Sequence, residues 1–125
     1  MSKKKVLVID DEEDFCRAIK KALEMSGKYQ VITAHDARTG KKAAIVEKPD
    51  IILLDIVMPG ASGSELSENL LNNPETRSIP IIFVTAIVTR KEVHSGALVG
   101  NRIIIPKPVN IQNLEAKMQK LLSAP

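Results

Sequence analysis

The sequence predicts an open, doubly wound α/β fold, a five-stranded parallel sheet with helices on both faces. Three observations predict it. Short β-branched runs alternate with longer segments of helical periodicity along the whole chain. The strand runs are apolar at consecutive positions rather than at every second one, as in strands buried on both faces in the middle of a parallel sheet. The chain has 125 residues, room for five strand–helix units but not for the eight that close a barrel.

The elements follow in order. Residues 6–9, Val-Leu-Val-Ile, read as a buried first strand. Phe15, Ala18, Ile19, Ala22 and Leu23 recur at helical spacing and end near Gly27, a C-terminal stop signal. Residues 29–33 form a second, weaker strand. Asp36 is placed to cap a helix that runs to about Glu47 and stops before Pro49, with Ala37, Gly40 and Ala44 as its small apolar face. Residues 51–54 are a third strand, continuous in hydrophobicity. Leu66, Leu70 and Leu71 mark a third helix that stops before Pro74, with Ser62 and Ser64 beside Gly63 as capping hydroxyls. Residues 81–84 are the fourth strand, residues 91–98 a short fourth helix, and residues 103–105 the fifth strand. Ile111, Leu114, Met118, Leu121 and Leu122 define a last helix with Asn110 as its N-cap. Alternation of this kind implies right-handed crossovers between parallel strands, with the active edge at their carboxyl ends.

Composition narrows the function classes. With 44% apolar and 26% charged residues the chain is globular rather than disordered. No apolar run approaches the roughly 20 residues of a membrane span. The apolar stretch after Met-Ser-Lys-Lys-Lys covers only residues 6–9, too short for a secretory signal. A single cysteine, Cys16, excludes a disulfide scaffold or a cysteine zinc cluster and reads as small buried filler. A net charge of +3 with two Phe, one Tyr and no Trp reads as solvated surface rather than a nucleic-acid footprint. His35 and His94 read as surface or loop residues. These features point to the cytoplasm, with neither membrane nor direct nucleic-acid contact.

The informative residues stand where strands end. The first strand runs into Asp10 and Asp11, with Glu12 beyond them as a cap candidate, the third into Asp55, the fourth into Thr85, and the fifth, through Pro106, into Lys107. Singly, each has an ordinary reading: an N-cap, a turn-former, a capping hydroxyl, a surface charge. Together at one sheet edge they place three carboxylates, a hydroxyl and an ammonium side by side. Such carboxylates repel and need a counter-charge; a shallow all-oxygen site suits Mg²⁺, and Lys107 adds a second cation. A carboxylate beside a metal and a lysine is equipped to attack a phosphoryl group.

These residues resemble the receiver domain of bacterial two-component response regulators. The resemblance rests on Val8-Ile9-Asp10-Asp11-Glu12, on Leu54-Asp55-Ile56-Val57-Met58-Pro59 with Gly63, on Val84-Thr85-Ala86 and on Lys107-Pro108, and it covers residues 4–122. It implies a flavodoxin-like strand order, 2-1-3-4-5, with five helices. It implies Asp55 as phosphoacceptor, Asp10, Asp11, Asp55 and the Val57 backbone carbonyl as Mg²⁺ ligands, Thr85 as switch hydroxyl and Lys107 as phosphate contact. A cis Lys107–Pro108 bond is implied as well. The implied donor is a histidine kinase, a histidine phosphotransfer protein or a small phosphodonor. The implied output is a shift of the surface of the fourth helix, fifth strand and fifth helix, bordered by Lys91, His94, Arg102, Ile111 and Lys117, which changes binding of a downstream protein or drives homodimerisation.

The chain also departs from the family pattern. Ile104 stands where many receivers carry an aromatic residue that moves with the threonine. Val57 and Ile87 occupy positions where polar side chains can orient the hydrolytic water, so slow self-dephosphorylation is expected. Pro106 before the lysine removes a backbone N–H. The sequence reads as one receiver domain over residues 1–125 with no output domain, a signalling protein rather than a turnover enzyme. Two other readings stand beside it: a Mg²⁺-dependent phosphohydrolase with an aspartyl-phosphate intermediate, and a receiver fragment of a longer transcriptional regulator. Val57, where the hydrolase pattern needs a second Asp, argues against the former.

Overall fold

The computed structural model describes residues 3–58, 61–86, 97–99 and 102–123. Five parallel strands form the body of the main sheet: β1 (Lys4–Ile9), β2 (Tyr29–Ala34), β3 (Ile51–Leu54), β6 (Ile81–Thr85) and β8 (Arg102–Pro106). The short strands β4 (Val57–Met58) and β5 (Ala61–Ser62) pair with each other, and β7 (Ala97–Val99) joins the main sheet at its edge. The main sheet is ordered β2-β1-β3-β6-β8-β7. Counting the parallel strands alone, this is the expected 2-1-3-4-5 order.

The continuous hydrophobicity of the strands divides cleanly between two cores, because successive side chains of a strand point to opposite faces. Val6 and Val8, Ile51 and Leu53, Ile82 and Val84, and Ile105 face one core. Leu7 and Ile9, Ile52 and Leu54, Phe83 and Ile104 face the other. The first is covered by α1 (Glu13–Glu24) through Cys16, Ile19 and Leu23, and by α4 (Ile111–Leu122) through Leu114 and Met118. The second is covered by α2 (Ala37–Glu47) through Ala44 and by α3 (Gly63–Leu71) through Leu66 and Leu70.

The caps fall where the sequence places them. Asp36 accepts the Thr39 N–H at 2.8 Å, and Asn110 accepts the Asn113 N–H at 2.9 Å. Past the end of α1 the chain turns at Gly27 with φ +76°, a left-handed conformation that favours glycine.

Four helices are found among the described residues, where five were expected. Of the expected fourth helix, residues 91–96 lie outside the described residues, and its last two, Ala97 and Leu98, are strand. They belong to β7, which pairs antiparallel with β8, Ala97 opposite Ile104 and Val99 opposite Arg102. Leu98 lies opposite Ile103, so pairing with the apolar strand β8 overrides the local helical pattern of so short a segment. Leu71, expected on the apolar face of α3, is instead 41% exposed at the helix end. The side chains of Ser62 and Ser64, the expected caps of α3, lie outside the described residues.

Register completes the frame for the site. Ile9 lies opposite Leu54, Leu54 opposite Phe83, and Phe83 opposite Ile104. The residues that follow these positions therefore emerge together at one edge.

Candidate phosphoacceptor and metal site

Asp10 leaves β1 with its N–H donated to Ala34 O, 3.0 Å away, and its side chain is fully buried. One carboxylate oxygen, Oδ1, accepts the Glu12 N–H at 2.9 Å. Asp55 leaves β3 with its N–H on Ile9 O at 3.0 Å and is also buried. Asp11 follows Asp10 and is exposed to solvent. Carboxylate oxygens of Asp10, Asp11 and Asp55 all lie within 4.8 Å of one another.

Lys107 enters from the end of β8. Its N–H is donated to Thr85 O at 2.9 Å, which ties it to the buried end of β6, and the Lys107–Pro108 bond is cis, as the resemblance implies. Its ammonium lies 2.8 Å from Asp10 Oδ2, 2.5 Å from Glu12 Oε1 and 4.0 Å from Asp55 Oδ2. It also sits 4.3 Å from the centroid of the Phe15 ring. Burial works against the charge on Lys107, but its close contacts with the Asp10 and Glu12 carboxylates and the charges of Asp10 and Asp55 outweigh it and hold the group above its ordinary value. The group is an ammonium at any physiological pH.

Asp10 Oδ2 is fully buried and has no aligned hydrogen-bond donor; Lys107 gives it a counter-charge at 2.8 Å without the direction of a hydrogen bond. A buried anionic oxygen in that condition is costly, and a hard divalent cation among three carboxylates removes the cost. The Asp10, Asp11 and Asp55 donors thus fit a metal ion.

Gly63 has a backbone reason to be glycine. A Cβ there would lie 2.0 Å from the Asp55 carbonyl oxygen, while its N–H reaches Ile56 O at 2.7 Å. The first turn of α3 thereby rests on the loop that presents Asp55.

Four strand ends thus converge on one acidic pocket beside a largely buried ammonium. The family model for the response regulator receiver domain matches residues 6–119. The chain belongs to that family. Receiver domains are signalling domains that work with histidine kinases or phosphotransfer proteins, and the pocket of Asp10, Asp11 and Asp55 fits their phosphoacceptor site.

This receiver is similar to several characterised relatives. The phosphate regulon transcriptional regulatory protein PhoB of Pseudomonas aeruginosa is 36% identical over 119 residues, which cover 95% of this chain and 52% of PhoB. Protein PilH of the same species is 33% identical over 119 residues, 95% of this chain and 98% of PilH. The solved structure of Vibrio cholerae chemotaxis protein CheY4 superposes with a TM-score of 0.82 at 27% identity, covering 96% of this chain and 99% of that one. The chain therefore spans about half of PhoB and nearly all of PilH and CheY4.

The structure also places residues that sequence reading left out of the site. Glu12 and Phe15, read there as a cap candidate and a core residue, both contact the Lys107 ammonium. Two groups converge on the Asp10 carbonyl: Cys16 Sγ donates to it at 3.4 Å, and His35 Nδ1 lies 3.2 Å away. His35 follows β2, and the pairing of β1 with β2 is what brings it there. Ile104 is buried in the α2/α3 core, opposite Phe83 in the sheet. The side chains of Val57 and Arg102, and all of Ile87, Lys91 and His94, lie outside the described residues. Among the described residues no helix is long and apolar enough to cross a membrane.

Proposed function

We propose that this receiver takes a phosphoryl group onto Asp55 from a histidine kinase, a histidine phosphotransfer protein or a small acyl phosphate, in the cytoplasm. The observation that carries the proposal is the placement of Asp55 within the 4.8 Å carboxylate cluster and 4.0 Å from the Lys107 ammonium. A carboxylate oxygen of Asp55 attacks phosphorus; the bond from phosphorus to the donor's nitrogen or acyl oxygen breaks, and its electron pair leaves with the donor. Lys107 neutralises the charge on the transferred oxygens, and the Thr85 hydroxyl hydrogen-bonds one of them. Asp10, Asp11, Asp55 and the Val57 carbonyl would hold Mg²⁺, which would supply further charge neutralisation to the transfer.

Phosphorylation adds about −1.5 to −2 charges at Asp55. Thr85 moves toward that charge and biases the face made by β8 and α4, which then binds or releases a downstream protein or a second copy. Ile104 gives this switch no aromatic partner, so Thr85 and Lys107 carry it. Two branched aliphatics, Val57 and Ile87, stand where a polar side chain would orient water, which supports a long-lived aspartyl phosphate and a signalling role rather than turnover.

Intact-mass spectra over time, with acetyl phosphate and Mg²⁺, test the reading. One added phosphoryl group is expected, absent in Asp55→Asn and absent without metal, with slow decay after the donor is removed. No incorporation would overturn the Asp55 assignment. Decay within seconds would overturn the slow-hydrolysis assignment alone.

A further inference from the structure

We propose that Phe15 is a positioning residue for Lys107, its ring holding the ammonium at the edge of the pocket from which it serves phosphoryl transfer. The proposal rests on the reading of Asp55 as phosphoacceptor.

Phe15 stands in the first turn of α1, half-buried, packed against the core that α1 and α4 cover. Periodicity explains only that packing. The other consequence of its position is that the ring lies 4.3 Å from Lys107 Nζ, within the range of a cation–π contact. The Lys107 side chain is only 11% exposed, so the contact is largely screened from water, where such contacts are strongest.

The ring does what another carboxylate could not. The ammonium already touches Asp10 and Glu12 and faces Asp55, with Asp11 close by in the cluster. Each carboxylate that steadies the lysine also repels an incoming phosphoryl group. An aromatic ring attracts the cation through its quadrupole and carries no net charge. Phe15 therefore confines Lys107 without adding to that repulsion. When Lys107 turns toward transferred phosphoryl oxygens, the ring also leaves no unpaired anion behind, as a carboxylate would.

The test compares Phe15→Leu, which keeps apolar volume and loses the ring face, with Phe15→Tyr, which keeps both. The first readout needs neither metal nor phosphodonor: the side-chain Hε resonances of Lys107 by NMR. Phe15 is the ring that lies against the ammonium, so an upfield displacement of those resonances that is lost with the ring reports the contact. The second readout is the rate of phosphorylation by acetyl phosphate with Mg²⁺, in wild-type and Lys107→Met backgrounds, at a temperature where every variant is folded.

Phe15→Leu is expected to abolish the upfield displacement and slow phosphorylation roughly three- to thirtyfold, the span of a cation–π contact. Phe15→Tyr should retain both properties. In the Lys107→Met background Phe15→Leu should cost little more, since the two residues act as one unit. An equal loss in both backgrounds, a Tyr variant as slow as the Leu variant, or a Leu variant as fast as wild type would overturn the proposal. If wild type itself takes no phosphoryl group, the Asp55 reading fails and the positioning role falls with it; displaced Lys107 resonances would then identify the contact as structural.

Discussion

A side chain of even one carbon at Gly63 would lie 2.0 Å from the carbonyl oxygen of Asp55. The obstacle is backbone, so it cannot rotate away, and the start of α3 must retreat or the Asp55 loop must move. Gly63→Ala is expected to cost about 2–3 kcal/mol, as overpacking does, and to lower the melting temperature by roughly 10 °C. Phosphoryl uptake at a temperature where the variant is folded should fall as well, because the displaced loop carries Asp55. Thermal melts beside phosphorylation rates check both. A variant as stable as wild type would show that α3 shifts at no cost.

Lys107 offsets the burial of Asp10. Removing one partner of a buried pair leaves the other charge uncompensated, typically at about 3–5 kcal/mol. Lys107→Met is expected to lose about 3 kcal/mol in metal-free buffer. Part of that loss should return with Mg²⁺, since a ligand that binds only the folded state stabilises it. Urea unfolding with and without Mg²⁺ reads this directly, and a variant indifferent to the metal would argue against binding at Asp10.

The sheet and most of its site were legible in the sequence for one reason. Strands 51–54 and 81–84 are apolar at every position because both faces are covered, and such strands run parallel, so their carboxyl ends share an edge. Asp10, Asp55, Thr85 and Lys107 each stand at such an end, which makes their convergence a consequence of topology. β7 was not legible as strand, because the three residues of Ala97–Val99 are too few to show a period. The contacts of Glu12 and Phe15 with Lys107 were hidden as well. Glu12 and Lys107 are 95 positions apart, and periodicity assigns a residue to a face without saying which side chain meets it there.

Two carboxylates, half-buried Glu24 and exposed Asp36, shape the acid limb of stability. Glu24 is held below its ordinary value chiefly because its carboxylate accepts the Val31 N–H at 3.0 Å, with Lys20 adding to the effect. Asp36 is held low by its capping hydrogen bonds to Thr39. A depressed folded pKa means that the unfolded chain binds more protons near that pH, so stability rises with pH through the region. The contribution is present above the unfolded carboxylate values and lost as pH falls through the lower, folded ones. Glu24→Gln with Asp36→Asn, which keeps an N-cap acceptor, should flatten the fall in urea midpoint between neutral and acidic pH. An unchanged slope would mean that other carboxylates set the limb.

Cys16 is a thiol kept neutral by its place in the fold. Burial first, then the negative charge of Asp10, pushes its pKa up to about 12, against the pull of Lys107. Its Sγ donates to the Asp10 carbonyl at 3.4 Å, which requires the proton to be present. An unfolded thiol ionises near 8.5, so the unfolded chain loses its proton first and stability declines as pH rises above that value. Native protein at mildly alkaline pH should resist iodoacetamide, while protein in urea reacts at once; intact mass distinguishes the two. Cys16→Ala should make the alkaline limb shallower, since it removes the group whose ionisation favours the unfolded chain. Rapid native alkylation would show instead that α1 opens readily at its first turn, exposing both the thiol and the carbonyl of Asp10.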